Sequence, residues 1–340
     1  MEEIIIRSDL AMDIGTSNIR IFTAGKGIAV NEPSMIAVDN EEIKAWGQNA
    51  YEMFGRISGK KEIISPIKDG VIADFTSAED MLVIFLKKLL TSSIVMPRAL
   101  ICVPSEVTEV EKNAFESLVL STGIRRAGMI KSTIAAAMGA GIDIESPHGV
   151  LIANLGGGMA DMSVISLGGT AVTGTVRCAG DAMDNEIIKY VKKTYNIVIG
   201  KRTAEQAKIN AGSVLSGIVS GTYTIKGKCM ITGMPVKVDI DREELVAPLS
   251  KTAVIIAEKI KEMLVVTPPE LIGDIHRDGI ILTGGLAGVR GIDKLIENTV
   301  GLKVRIADEA ELCTIKGSGA ALSYMSGRKS KINPITLINS

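Results

Sequence analysis

Aromatic side chains are scarce: Phe, Trp and Tyr make up 3% of the 340 residues, with a single Trp. Any core must therefore be built from Ile, Val, Leu, Met and Ala, and apolar residues do reach 46%. Histidine is nearly missing, with 2 residues, and the 4 cysteines (Cys102, Cys178, Cys229, Cys313) stand far apart with no C-x-x-C pair. That argues against a zinc site and a disulfide framework, and leaves reduced thiols of a cytosolic protein as the expectation. Neither charge sign is in excess, since 38 Lys and Arg face 39 Asp and Glu for a net charge of -1. A chain so balanced has no overall attraction to nucleic acid, and the basic stretch Arg328-Lys329-Ser330-Lys331 reads as a solvated tail. No apolar run approaches the roughly 18 residues that span a bilayer. The start, Met1-Glu2-Glu3, is acidic where a secretion signal would be basic. A soluble protein, free to rest on a membrane surface, is expected. Also missing are the P-loop pattern G-x-x-x-x-G-K-[ST] and a Rossmann G-x-G-x-x-G opening a helix.

Two glycine turns stand out instead. Asp13-Ile14-Gly15-Thr16-Ser17 lies between Ser8-Asp9-Leu10-Ala11-Met12 and Ile19-Arg20-Ile21-Phe22-Thr23. Asn154-Leu155-Gly156-Gly157-Gly158-Met159 lies between Gly149-Val150-Leu151-Ile152-Ala153 and Asp161-Met162-Ser163-Val164-Ile165. Each is a strand–turn–strand unit, and each alone reads as an ordinary hairpin. As a pair, followed by a third turn at Thr283-Gly284-Gly285, they predict backbone N–H groups that clamp a polyphosphate from both sides.

The rest of the chain fits two related halves, the natural division for this length. A helix is expected over about 77–90 with Ser77 as its cap, and a buried strand at Ala99-Leu100-Ile101-Cys102-Val103. Thr108-Glu109-Val110-Glu111 has capping-box spacing and opens a helix to about 121. A short strand at 126–130 precedes an Ala-rich helix, Ile134-Ala135-Ala136-Ala137-Met138, that Ser132 would cap. The second half repeats the order: a hairpin at 149–166, a strand at 170–177 and a helix from Asp184 to Lys193. Asp241-Arg242-Glu243-Glu244 offers a second capping box ahead of a long helix to about 264, disturbed early by Pro248. A buried strand at 279–283 and a helix at 291–299 close the pattern. The expected fold is α/β, with two related α/β domains around a cleft. They cover 1–148 and 149–310, with insertions at about 31–69 and about 185–244, and 311–340 returns to the first domain.

These motifs resemble those of the actin-like ATPases and, among them, the bacterial cell-shape actins of the MreB and Mbl type. The first turn with Asn18 is similar to that family's first phosphate motif, and the 154–159 turn to its second. Leu282-Thr283-Gly284-Gly285-Leu286-Ala287 resembles its adenosine motif. Gly25-Lys26-Gly27-Ile28-Ala29-Val30-Asn31-Glu32-Pro33-Ser34 and Ile67-Lys68-Asp69-Gly70-Val71-Ile72-Ala73-Asp74-Phe75 are close to MreB in particular. The likeness covers about residues 9–322. It implies that Thr16, Ser17 and Asn18 meet the β- and γ-phosphates of ATP or GTP while Gly156, Gly157 and Gly158 grip from the other side. It further implies that Glu205, Gln206, Ala207 and Lys208 approach ribose and base, with Glu205 and Lys208 on one helix face. Gly284, Gly285, Leu286 and Ala287 would pass close to the adenosine end.

The departures from that pattern concern the reaction. Where MreB has Glu-Glu-Pro, whose second Glu orients the attacking water, this chain has Lys131-Ser132-Thr133, so Ser132 fills the slot. Asn154 replaces the usual Asp that helps hold Mg²⁺ waters, and Met159 replaces a Thr. Asp13 is left as the one expected Mg²⁺ carboxylate, a weakened site for a hard cation. A serine cannot act as general base at neutral pH, so nucleotide is expected to be held and hydrolysed slowly if at all. The resemblance also implies a homopolymer of paired protofilaments, another MreB paralogue as a companion, and cell-wall elongation proteins as partners. It implies a cytoplasmic protein peripheral on the inner face of the cell membrane, with Ile94, Val95 and Met96 touching inner-membrane lipid. The alternative is a monomeric chaperone-like or sugar-kinase-like ATPase. The first needs a peptide-binding domain after residue 327, and the second a substrate base and a sugar pocket, for which no residues suggest themselves.

Overall fold

A computed structural model describes residues 9–56, 61–90, 97–124, 126–325 and 333–338. Within them the chain builds two large sheets of matching topology. Across the first, the strands run Thr336–Ile338, Ala127–Lys131, Ala99–Val103, Leu10–Ile14, Asn18–Thr23 and Gly27–Pro33. Across the second they run Val304–Ile306, Ile280–Thr283, Val150–Leu155, Ala160–Ser166 and Gly169–Val176. Leu10–Ile14 and Val150–Leu155 hold equivalent places. Each is antiparallel to the strand after its glycine turn and parallel to a strand delivered later by a crossover.

The sequence explains which strands sit inside. Leu10–Ile14 and Ala99–Val103 are near-continuous apolar runs covered on both faces. Asn18–Thr23 alternates: Ile19, Ile21 and Thr23 are buried on one face, so Asn18, Arg20 and Phe22 share the other. That face turns toward the second sheet.

Two helices fill the space between the sheets. Ser132–Gly139 follows a strand of the first sheet but packs on Val150–Leu155 and Ala160–Ser166 of the second. Cys313–Met325 does the reverse, packing on Leu10–Ile14 and Asn18–Thr23. One apolar cluster therefore joins Ala11, Leu100 and Ile130 to Ile152, Ile165 and Ile281 through Ala135, Ala136, Ile315 and Ala321. The helices cross backbone to backbone. A Cβ on Gly139 would overlap the Cys313 carbonyl, and one on Gly317 the Ala135 carbonyl. The outer faces carry further helices, Phe75–Leu89 and Glu109–Ser121 on the first sheet, with Gly180–Tyr195, Val246–Val266 and Ile292–Val300 on the second. Each half also carries a small three-stranded sheet, Ile36–Asp39 with Glu42–Trp46 and Lys61–Ile64 in the first, and Ile197–Val198 with Thr222–Cys229 and Pro235–Asp241 in the second.

Several helix starts differ from expectation. The first long helix is Phe75–Leu89, and its cap is Asp74, which accepts from the Ser77 N–H at 3.1 Å; Ser77 lies inside the helix. The Thr108 box forms, with Thr108 Oγ1 accepting from Glu111 N at 3.2 Å and Glu111 Oε2 accepting from Thr108 N at 2.9 Å. Ser132 is no cap. It is the first residue of its helix, and its hydroxyl donates to Asp161 instead. The helix expected from Asp184 begins at Gly180, because that glycine packs under Gly157. Asp241 caps a 3₁₀ turn, Arg242–Leu245, before Val246–Val266, where Pro248 falls in the first turn and costs no hydrogen bond. The cysteines are unpaired. Among the described residues no helix is long and apolar enough to cross a membrane. Ile94, Val95 and Met96 lie outside the described residues.

Candidate functional site

The two glycine turns are built alike and face each other. In the first, Gly15 N donates to Asn18 O at 3.1 Å; in the second, Gly156 N donates to Met159 O at 2.8 Å. They come so close that a Cβ on Gly157 would strike the Ser17 side chain, and one on Gly158 would strike the Thr16 hydroxyl and the Asp69 backbone. The absence of a Cβ at both positions permits that approach, most strictly at Gly158, where the neighbour is backbone. A second layer braces each turn. Thr16 Oγ1 accepts from Gly70 N at 3.0 Å, Ser34 Oγ donates to Gly15 O at 2.7 Å, and Asp181 N donates to Gly157 O at 2.7 Å. Met159 packs its sulfur against Gly70, whose φ of 78° also calls for glycine.

Around the turns opens a cavity of about 810 Å³. It is lined by Asp13, Thr16, Ser17, Asn18, Ser132, Asn154, Gly156, Gly157, Gly158, Glu205, Lys208, Gly284, Gly285 and Leu286. Gln206, Ala207 and Ala287 do not line it. In the Lys201–Ala211 helix, Glu205, Lys208 and Ile209 share the cleft face by their spacing, while Gln206 points outward and Ala207 into the core. Ala287 is buried in the core within the 3₁₀ turn Gly285–Gly288, and Gly288 and Val289 line the cavity beside it.

At the end nearest the first turn, Asp13 and Arg20 are cross-strand partners, with Arg20 Nη1 3.4 Å from Asp13 Oδ2. Burial pushes the Asp13 carboxyl above its ordinary range, and Arg20 opposes that rise. Asn154 Oδ1 sits 3.4 Å from Thr283 Oγ1. This donor set does not make a protein-built Mg²⁺ site. Its single carboxylate is engaged by a guanidinium, its amide is neutral, and no group of three or more His, Cys, Asp or Glu among the described residues could hold a metal.

Ser132 faces a buried carboxylate that the sequence reading passed over. Asp161 Oδ2 accepts from Ser132 Oγ, from Ser105 N at 2.9 Å and from Ser105 Oγ at 3.0 Å, while Oδ1 accepts from Thr175 Oγ1 at 3.1 Å. Thr133 and Ser163 extend the hydroxyl network. Burial raises the Asp161 carboxyl, and these donors pull it back. An acceptor so fully engaged is a poor base for water.

At the other end Lys208 is not free for a ligand. Its Nζ lies 2.9 Å from Asp184 Oδ1 and donates to Gly180 O at 3.0 Å, all of it buried. Burial pushes the Asp184 carboxyl up to about 6, against the pull of Lys208 and with the push of Glu205. Glu205 is bridged across the cleft: Tyr51 OH, on the Gly47–Met53 helix of the small sheet, donates to its Oε2 at 2.7 Å. Arg202 stacks over the Tyr51 ring, 5.1 Å from its centre. Arg20, Tyr51, Asp161 and Asp184 were thus missed from sequence. Asp161 and Ser163 did carry a signal, two polar residues two apart in the otherwise apolar run Ala160–Ile165.

Paired glycine turns in a crevice between two sheets of one topology, with a crossing helix pair behind them, define an actin-like α/β protein. The chain belongs to the MreB/Mbl family, whose sequence model, described as MreB/Mbl protein, matches residues 7–330. It is 39% identical over 317 residues to the cell shape-determining protein Mbl of Bacillus cereus, covering 92% of this chain and 95% of that one. The crystal structure of MreB5 of Spiroplasma citri bound to ADP superposes with a TM-score of 0.90 at 34% identity, covering 94% of this chain and 97% of that one. The MamK double helical filament shares the fold, with a TM-score of 0.78 at 18% identity over 93% of this chain and 99% of that one.

Proposed function

We propose that this chain is a nucleotide-binding, filament-forming cytoskeletal actin that holds ATP or GTP and hydrolyses it slowly. The observation that carries the reading is the pair of glycine turns, brought so close that a Cβ on Gly158 would meet the Asp69 backbone and one on Gly157 the Ser17 side chain. Turns of this kind offer converging N–H groups to a polyphosphate. The ADP bound by the Spiroplasma citri relative supports a nucleotide in the same cleft. Thr16, Ser17, Asn18 and Gly156–Gly158 would hold phosphates, Glu205 the ribose, and Gly284, Gly285 and Leu286 the adenosine end. Mg²⁺, where it takes part, would enter on the phosphates and water, with Asp13 as its protein carboxylate.

Slow turnover follows from Ser132, whose hydroxyl is spent on Asp161, and from Asp161, whose oxygens are already taken. In the cell this reading is of a homopolymer on the inner membrane face that helps direct cell-wall synthesis, alone or beside a paralogue. The domain limits 1–148, 149–310 and 311–340, and lipid contact through Ile94, Val95 and Met96, belong to the same proposal. Sedimentation and phosphate release, followed together on the purified protein with ATP or GTP, test it. Nucleotide-dependent pelleting with little phosphate released is expected. Soluble monomers with rapid release would favour a kinase-like or chaperone-like ATPase.

A further inference from the structure

Two cationic side chains line the cavity, Arg20 and Lys208, against five acids, Asp13, Asp161, Glu205, Glu309 and Glu311. Lys208 is committed to Asp184 and to a backbone carbonyl. Arg20 is not similarly committed. Among the described residues its one hydrogen bond is the 3.4 Å contact with Asp13, long for a charge-assisted pair, and its buried Nε has no partner there. A guanidinium has five N–H donors, and a buried N–H without an acceptor is costly. The strand alternation places Arg20 on the same face as Asn18, two residues along, so both reach the cleft from the floor beside the first glycine turn.

We propose that Arg20 is a polyphosphate-binding residue, supplying from the protein the positive charge that a divalent cation would bring. The inference rests on the nucleotide reading given above. When a polyphosphate enters, the Arg20 fork exchanges its weak hold on Asp13 for phosphate oxygens, a geometry that suits guanidinium better than ammonium. The same cation explains the neutral residue opposite. With Asn154 in place of a second carboxylate and the Asp161 oxygens already taken by Ser132, Ser105 and Thr175, Asp13 is the one carboxylate at this end left to attract a metal, and Arg20 lies beside it. Phosphate charge is met by Arg20 first, and nucleotide binding depends little on Mg²⁺.

Titration of the purified protein with ADP and with AMPPNP, each in Mg²⁺ and in EDTA, tests this. Chelation is expected to change wild-type affinity by less than about threefold. Arg20→Met should bind either nucleotide about 10- to 100-fold more weakly in EDTA, the range for losing a hydrogen bond to a charged group. Mg²⁺ should restore much of that loss, Arg20→Lys should fall between, and adenosine, which has no phosphate, should bind wild type and Arg20→Met alike. Equal chelation losses in wild type and Arg20→Met, or unchanged affinity in Arg20→Met, overturn the proposal. If Arg20→Met does not fold, wild type alone decides, because a large loss in EDTA excludes a protein-supplied charge. No binding to wild type even in Mg²⁺ would instead remove the nucleotide reading.

Discussion

Asp184 illustrates how one buried residue can link charge and stability. Its carboxyl, pushed up to about 6 by burial, keeps a proton in the folded chain at pH values where the unfolded chain has already lost it. A group whose folded value is raised stabilises fully below the unfolded value and loses that contribution as pH climbs through the folded one. Between pH 5 and pH 7.5 the wild type should therefore lose stability relative to Asp184→Asn, on the order of 1 kcal/mol. Urea melts of both proteins across that range measure it, and the slope with pH is the readout, since unpairing Lys208 shifts the variant at every pH. A difference that stays flat would mean Asp184 is ionised throughout, held down by Lys208 more strongly than burial raises it.

At the scale of elements, the helix crossing is the tightest constraint in the fold. Gly317→Ala would drive a methyl into the Ala135 carbonyl, and a backbone neighbour cannot swing away as a side chain can. Overpacking of this kind costs about 1–3 kcal/mol or more, so thermal melting should drop by several degrees. Alanine at Gly285, which meets nothing nearby, is the matching control and should melt close to wild type. Elements were legible where their cause was local. The Thr108 capping box, the apolar strands and the two glycine turns all announce themselves within a few residues. Boundaries failed where the cause lay across the fold: Ser132 was taken from helix capping by Asp161, and Gly180 was drawn into a helix by Gly157. At the site, the spacing of Glu205 and Lys208 was readable, but that Asp184 would claim Lys208 was not. Nor does any short-range pattern join Tyr51 to Glu205, since 154 residues separate them.

At the scale of the whole molecule, the two halves touch at the cleft mouth through Tyr51, Glu205 and Arg202, and at its floor through the crossing helices. Tyr51→Phe keeps the ring under Arg202 and removes the hydroxyl, so Glu205 loses its cross-cleft hydrogen bond. Release of a fluorescent ADP analogue should quicken about 3- to 10-fold, in line with one hydrogen bond of about 1 kcal/mol, while melting temperature moves little. An unchanged release rate would show that the contact does not restrain opening.

The opposite end of the same cleft decides turnover, and there the surroundings of Ser132 modify what a substitution can achieve. Ser132→Glu with Asn154→Asp restores two carboxylates, and a working general base is worth about 10²–10⁴-fold in rate. The new glutamate, however, would lie against Asp161, and two carboxylates sharing a site hold one carboxyl above its usual range. The gain should therefore lie near the lower end, about 100-fold in phosphate release, and should grow as pH rises from 6 to 8 and the pair ionises. Adding Asp161→Asn should remove that pH dependence, since the glutamate would then have no charged neighbour on this side. Phosphate release followed for wild type, the double variant and the triple variant distinguishes the cases. A double variant as slow as wild type at every pH would place the block elsewhere, at Met159 or in the closure of the two halves.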